Sequence, residues 1–331
     1  MIEKLWFQRS LIAWLCFPVL YPLSRLYKWI SVKRKNDFLS GKKVSYRSPV
    51  PVVIVGNITA GGNGKTPVVI WLAETLKAKG YKPGIISRGY GGKSEHYPLR
   101  VSDGVQPAEC GDEPKLIAVR TGLPVIVAPK RTDAARELLQ YDVDIIISDD
   151  GLQHYALTRD IELIVVDGKR RFGNGHFIPL GPMRESLERL DSVDFIINNG
   201  AEKSREMSMT LCPERAVNLV TGETEDVASL SSVIAFAGIG HPPRFFMTLK
   251  GLNTDIVETV SFSDHQVFTE ADLAPFLAHD GDVVMTEKDA VKCRQFAKDN
   301  WWYLPVSAKF STTDEAKIIH KIEEVIKQYG P

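Results

Sequence analysis

An unbroken apolar run, Val52-Val53-Ile54-Val55, gives way to Gly56-Asn57-Ile58-Thr59-Ala60-Gly61-Gly62-Asn63-Gly64-Lys65-Thr66. Glycines at this density let backbone N–H groups curl around phosphate oxygens. A lysine amine at the loop's end can reach terminal phosphates, and a threonine hydroxyl suits Mg²⁺. A helix starting there would add positive partial charge. Lys65 is therefore a candidate catalytic residue, and Thr59, Ala60, Gly61, Gly62, Asn63, Gly64, Lys65 and Thr66 form a candidate nucleotide-binding stretch. The usual spacing G-x-x-x-x-G-K-[ST] would place glycine where this chain has Thr59. A plain glycine-rich strand-to-helix turn is the competing reading.

A second apolar run, Val143–Ser148, ends in Asp149-Asp150-Gly151. It resembles a Walker B segment, whose acid holds Mg²⁺ at the carboxyl end of a sheet; a turn or a helix cap would use the same residues. No K-x-D follows Lys65, which favours ATP over GTP. Ser87-Arg88-Gly89-Tyr90-Gly91-Gly92 closes another strand and can present Arg88 to phosphate or to an acceptor; a hairpin-like loop is the competing reading. Arg131 and Arg184 suit bidentate phosphate binding or surface pairing with acids such as Glu185. On residue type alone, Asp112 before Glu113-Pro114 reads as a helix cap and His265 as a loop histidine.

Elements must position these groups. Short Val/Ile-rich runs alternate with helical periodicity after residue 50, which indicates strands buried on both faces in a parallel sheet. Strands are predicted at Val50–Val55, Gly84–Ser87, Pro124–Ala128, Val143–Ser148, Ile161–Asp167 and Val193–Asn198. Helices are predicted at Thr66–Lys79, Thr132–Tyr141 and Met183–Leu190. A second set follows residue 215, with strands at Ala216–Val220, Val233–Gly238, Thr254–Ser261, Val283–Thr286 and Trp302–Pro305. Its helices are predicted at Pro242–Lys250, Glu270–His279, Lys288–Asp299 and Thr313–Gln328. The expected architecture is α/β: a P-loop NTPase-like, doubly wound, mostly parallel sheet, a second, smaller α/β lobe and an N-terminal interfacial helix. The expected divisions are 1–40, 41–210 and 211–331, with residues 200–215 as the joint.

The 331 residues, 44% apolar and 25% charged, exclude global disorder and a polytopic membrane protein. Four scattered cysteines without a C-x-x-C pair argue against a zinc ribbon or a disulfide framework. Charge is uneven: residues 1–50 hold ten basic and two acidic side chains, a net +8, which leaves −8 for the rest of a neutral chain. Between Arg9 and Arg25 lies an uncharged run of 15 residues. As a helix it would span about 22 Å, short of a ~30 Å hydrocarbon core, and Pro18 and Pro22 would bend or break it. A signal peptide fits poorly, because Tyr27-Lys28-Trp29 occupies the place of small cleavage-site residues. Three of six tryptophans (Trp6, Trp14, Trp29) precede Lys33-Arg34-Lys35. Aromatics beside a basic cluster suit an anionic membrane surface, while a helix packed on the protein's own core is the alternative. A nucleic-acid partner is not expected, and no obligate protein partner is inferred.

Taken together, Gly56-Asn57-Ile58-Thr59…Gly64-Lys65-Thr66-Pro67, Ser87-Arg88-Gly89-Tyr90-Gly91, Gly111-Asp112-Glu113-Pro114, Asp149-Asp150-Gly151-Leu152-Gln153-His154, Gly181-Pro182-Met183-Arg184-Glu185, Phe262-Ser263-Asp264-His265 and Thr286-Glu287-Lys288-Asp289-Ala290 resemble the tetraacyldisaccharide 4'-kinase family of lipid A biosynthesis. Thr59 is normal in that family. The resemblance implies two α/β lobes joined by a β-ribbon and a γ-phosphoryl transfer from ATP to the 4'-hydroxyl of a tetraacyldisaccharide 1-phosphate, forming lipid IVA. It implies Asp112 as the base, paired with His265. It implies Mg²⁺ held by Thr66 with Glu113, Asp150 and Gln153, and Arg184 among the nucleotide-binding residues. It also implies a lipid disaccharide substrate and a peripheral or monotopic place on the cytoplasmic face of the bacterial inner membrane. A membrane-associated P-loop ATPase acting on a protein or metal cargo is the alternative.

Overall fold

A computed structural model describes residues 2–7, 11–200 and 203–330; Arg9 and the side chains of Lys4 and Trp14 fall outside these. The chain forms two compact units. The first comprises Met1–Arg88, Lys130–Thr210 and Lys309–Pro331; the second comprises Gly89–Pro129 and Leu211–Ala308. An interleaved division therefore stands in place of continuous lobes at 41–210 and 211–331. Hydrophobic patterning reports which residues are buried, not which sheet they join.

In the first unit, parallel strands run in the spatial order Met207–Pro213, Phe195–Asn199, Ile161–Asp167, Val52–Gly56, Ile145–Asp149 and Pro83–Ser87. Val52–Gly56 is buried along its whole length. It lies between two strands that come later in the chain, so its carboxyl end sits at the switch point where open α/β sheets bind ligands. The helix Lys65–Ala78 buries Val68, Val69, Leu72 and Leu76, each worth about 1.5–3 kcal/mol of apolar burial. The C-terminal helix Thr312–Gln328 turns Ile318, Ile319, Ile322 and Val325 inward and is capped by Ser311, whose Oγ accepts the Asp314 N–H. Phe310, just before it, lies against Trp71 at 4.3 Å between ring centres.

Near the N-terminus, short helix Ile2–Phe7 precedes the 29-residue helix Leu11–Leu39, which runs through both Pro18 and Pro22. Both prolines are exposed. Trp6 Nε1 donates to the Pro179 carbonyl, Ser24 Oγ to that of Phe177 and Ser31 Oγ to that of Arg184. Leu15, Val19, Leu23, Leu26, Trp29 and Ile30 stay exposed. Among the described residues, no helix is long and apolar enough to cross a membrane.

The predicted helix Met183–Leu190 is not formed. Met183 instead bridges Thr59 and Phe177, and only a 3-10 segment, Leu187–Ser192, follows. The backbone there is committed to the glycine-rich loop: Arg184 N donates to Ile58 O, and Ala60 N to Pro182 O. These tertiary bonds override a helical pattern.

The second unit contains a six-stranded sheet in the order Thr224–Glu225, Ala216–Asn218, Trp301–Leu304, Val283–Thr286, Val233–Ala237 and Ile256–Ser261. Its last four strands are mutually parallel, and the first two attach antiparallel. Two apolar cores cover the sheet, one around Leu249, Val284 and Trp302, the other around Phe236, Phe276 and Trp301. Helices Pro242–Gly251, Glu270–Leu277 and Glu287–Cys293 stand near the predicted positions. The same unit holds helix Asp112–Thr121, which the sequence signalled only through Asp112 as a helix cap. Pro114 lies in its first turn, where a missing N–H is harmless, and Gly122 closes it in a left-handed conformation (φ 62°).

Candidate active-site residues

In the first unit, the glycine-rich loop is held from several directions. Asn63 Nδ2 donates to Thr59 Oγ1 at 2.9 Å, and Asn199 Nδ2 donates to Asn63 O at 3.0 Å. Thr59 thus supplies a side-chain acceptor where the usual pattern has glycine. Gly64 requires its type: its φ is 93°, and a Cβ there would lie 2.6 Å from Asn199 Nδ2. The helix begins directly after it, at Lys65, with no acid in its first turn. Its leading N–H groups therefore have no acid of their own turn as a partner and suit an anion.

Asp149 and Asp150 have separate tasks. Asp149 is almost fully buried at the end of its strand, and its Oδ2 accepts from Ser87 Oγ at 3.2 Å. Asp150 follows in a left-handed conformation (φ 46°) and turns to the loop lysine. Lys65 Nζ lies 3.7 Å from Asp150 Oδ1, and Arg184 Nη1 reaches both carboxylate oxygens at 2.9 and 3.1 Å. Burial alone would raise the Asp150 carboxyl; Lys65 and Arg184 outweigh it and hold it at about 2. Arg184 Nη1 is also 3.4 Å from Asn57 Oδ1. Arg131 is directed at main-chain carbonyls. It is buried, and its Nη2 donates to the carbonyls of Asp149 and Asp150 at 3.0 and 3.2 Å. Burial pushes its guanidinium down to about 10, against the pull of both aspartates. Gln153 Nε2 donates to Asn57 O at 3.0 Å and to Glu185 Oε1 at 2.8 Å, so only its Oε1 is open to a cation.

In the second unit, Asp112 and His265 meet. His265 Nδ1 lies 2.9 and 3.0 Å from the two Asp112 oxygens. Asp112 is the first residue of its helix, preceded by Gly111 at φ 90°. His265 has φ 60°, a left-handed backbone uncommon outside glycine. Its ring stands edge-on to Tyr90 at 5.2 Å. Burial would raise the Asp112 carboxyl, but the His265 hydrogen bond and the Lys288 charge bring it below its ordinary value. The Asp112 hydrogen bond raises His265, against burial and Lys288. A cavity of about 200 Å³ opens beside the pair, lined by Gln106, Pro107, Phe268 and Gln295 among others.

Two participants were missed in the sequence reading although both stand inside the quoted motifs. Lys288 Nζ lies 3.6 Å from Asp112 Oδ2, 3.3 Å from Glu113 Oε1 and 3.1 Å from Asp264 Oδ1. Glu113 is thus paired with a lysine of its own unit. Of the four candidate metal ligands, Thr66, Asp150 and Gln153 belong to the first unit and Glu113 to the second.

A buried parallel sheet whose switch-point strand feeds a glycine-rich loop, a lysine and a helix N-terminus defines a P-loop α/β protein. The family model for tetraacyldisaccharide-1-P 4'-kinase (LpxK) matches residues 16–327. The tetraacyldisaccharide 4'-kinase of Aliivibrio fischeri strain MJ11 is 58% identical over 98% of this chain and 99% of its own length. That of Vibrio cholerae strain O395 is 57% identical over 100% and 99%. The crystal structure of LpxK from Aquifex aeolicus in complex with ATP superposes with a TM-score of 0.78 at 29% identity, covering 92% of this chain and 98% of that one. The chain belongs to the tetraacyldisaccharide 4'-kinase family.

Proposed function

We propose that the protein is an ATP-dependent kinase that transfers the γ-phosphoryl group to the 4'-hydroxyl of a tetraacyldisaccharide 1-phosphate, giving lipid IVA. The observation that carries this reading is the Asp112–His265 contact, at 2.9 and 3.0 Å. A sugar hydroxyl is a weak nucleophile and gains from a carboxylate that takes its proton as the O–P bond forms and the bond to ADP breaks. Asp112 is that base, and His265 orients it and shares the proton. Lys65 neutralises charge on the ATP phosphates. Arg184 holds Asp150 in place and stands ready for a phosphate oxygen.

Mg²⁺ fits the donors available. Thr66 offers a hydroxyl, and Asp150 a carboxylate kept ionised and 29% exposed at its side chain. Gln153 Oε1 adds a third oxygen donor in the same unit, and Glu113 is the carboxylate candidate that the second unit contributes to the proposal. Among the described residues, no group of three or more His, Cys, Asp or Glu side chains is placed to hold a metal ion. Hard oxygen donors in small number match an ion that keeps waters and takes phosphate oxygens as ligands. When bound, it supplies charge neutralisation on the phosphates.

The helix Leu11–Leu39 lies in the membrane interface at the cytoplasmic face of the bacterial inner membrane. Its exposed Leu23, Leu26, Trp29 and Ile30 and its basic Lys33-Arg34-Lys35 support this placement. Sedimentation with vesicles containing anionic lipid checks it: L26E/W29E reduces the bound fraction, and unchanged binding counts against it. The kinase reading is tested by incubating the protein with labelled ATP and the tetraacyl disaccharide monophosphate, then separating lipids by thin-layer chromatography. Labelled bis-phosphorylated lipid is the expected product, and its absence overturns the assignment.

A further inference from the structure

Lys288 has no part in the chemistry derived above, yet its amine sits among three carboxylates. It is 3.1 Å from Asp264 Oδ1, 3.3 Å from Glu113 Oε1 and 3.6 Å from Asp112 Oδ2, and its side chain is 16% exposed. Asp264 Oδ1 also accepts the backbone N–H of His265 at 3.1 Å. One oxygen therefore takes both the lysine amine and the amide of the residue held in the left-handed conformation. Asp112 and Glu113 open the helix Asp112–Thr121, while Asp264 belongs to the loop that carries His265.

The base of Lys288 is itself fixed. Thr286 Oγ1 accepts the Asp289 N–H at 3.2 Å, capping the turn from which Lys288 projects. Next to it, Glu287 takes two bonds from Arg120 Nη1, both 2.9 Å, at the far end of the Asp112 helix. The segment carrying Lys288 is thus tied to that helix at both ends. Without the lysine, Asp112, Glu113 and Asp264 would lose the cation they share, and like charges would push the loop from the helix.

We infer that Lys288 is a positioning residue that registers His265 on Asp112 by pairing with Asp264 and Asp112 together. Its action on turnover rests on the kinase reading, and it acts through the pair rather than on ATP. A displacement of about 1 Å at a reacting group costs roughly 100-fold in rate.

The test uses the full chain with ATP and tetraacyldisaccharide 1-phosphate in detergent–phospholipid mixed micelles, comparing wild type, K288M, K288R, D264N and K288M/D264N. K288M lowers kcat by roughly 100-fold while KM for ATP stays within about twofold. K288R restores most of the rate, because it keeps a cation in reach of both acids. D264N keeps the Oδ1 acceptor for His265 N–H but removes the opposing charge. It therefore slows the wild type slightly and raises kcat of K288M by about tenfold, a coupling that independent sites would not show. Wild-type turnover in K288M overturns the inference. So does a loss in K288M that neither K288R nor D264N relieves, since that is what a merely structural lysine predicts. Thermal melting accompanies every variant; should K288M fail to fold, the rates of K288R and of the double variant decide. An inactive wild type would overturn the kinase reading itself, which is a separate result.

Discussion

The phosphate loop is assembled from consecutive residues between Gly56 and Thr66, whereas Asp112 meets His265 across 153 positions of sequence. The first is fixed by a strand end, a left-handed Gly64 and a helix start, with Asn199 and the segment around Pro182 as braces. The second exists only when a helix, a loop and the segment carrying Lys288 are all in place. A local grip can be read as a motif. A non-local pair depends on tertiary structure, so distant substitutions can disturb it without touching either partner.

The largest expected effect separates the two regions. Lys65→Ala removes the loop's cation and reduces transfer by on the order of 10³-fold or more, with the Asp112–His265 pair untouched. Retained transfer in the labelled-ATP assay would show that the loop does not grip phosphate. Asp112→Ala comes next: kcat falls by roughly 10²–10⁴-fold while ATP binding, measured by calorimetry, stays near wild type. A matched loss of ATP affinity would erase the division of labour.

Backbone geometry gives an intermediate effect. A Cβ at Gly92 would lie 2.6 Å from the Glu109 carbonyl and against the Cys110 and Gly111 backbone, at the corner that feeds Asp112. Gly92→Ala is expected to destabilise the fold by about 1–3 kcal/mol and to lower kcat, read by thermal melting and kinetics. An unshifted melting temperature would mean the corner yields freely.

A subtler contrast comes from pH. Asp112 is lowered from 3.8 and His265 raised from 6.5 by their mutual contact. The Asp112 contribution to stability is present above its unfolded value and lost as pH falls through the folded one. That of His265 is full below its unfolded value and lost as pH rises through the folded one. The melting-temperature gap between wild type and His265→Gln is therefore widest between about pH 4 and 6.5 and narrows toward alkaline pH. A gap that widens above pH 7 would reverse the sign assigned to the histidine. The smallest effect is at Arg47, whose exposed side chain meets Asp160 at 3.3 Å. Arg47→Ala changes stability by less than about 1 kcal/mol in denaturant unfolding and leaves both regions active.

Sequence legibility follows the same contrast. Buried Val/Ile runs located the first unit's central strands, and the helix after the loop begins at Lys65, one residue before its predicted start. Met183–Leu190 was misread because its backbone bonds go to Ile58 and neighbouring residues, a tertiary demand invisible in periodicity. The strand Met207–Pro213 is mostly half-exposed and lacks the buried run that marks its neighbours. At the site, the residues of the loop and the Asp149-Asp150 pair follow from spacing and residue type, while the choice of Asp150 came with the family resemblance. Asp112 and His265 required the family resemblance, because each alone is an ordinary helix-start acid or loop histidine. Lys288 lay within a quoted motif, but nothing in a lysine's spacing tells that three acids from elsewhere converge on it.

The interleaving of the two units carries a consequence for synthesis. Residues 309–331 belong with the sheet begun at Val52, and Lys79 pairs with Glu323 at 3.0 Å while Arg47 and Asp160 meet Tyr329. On the ribosome, where growing domains fold as their residues emerge, the unit with the phosphate loop is started first and completed last. The intervening unit, contributed by 89–129 and 211–308, has all its residues before the first does. A nascent chain halted at residue 308 would carry every catalytic candidate yet lack the helix that covers the nucleotide unit, and it would be a ready target for proteolysis.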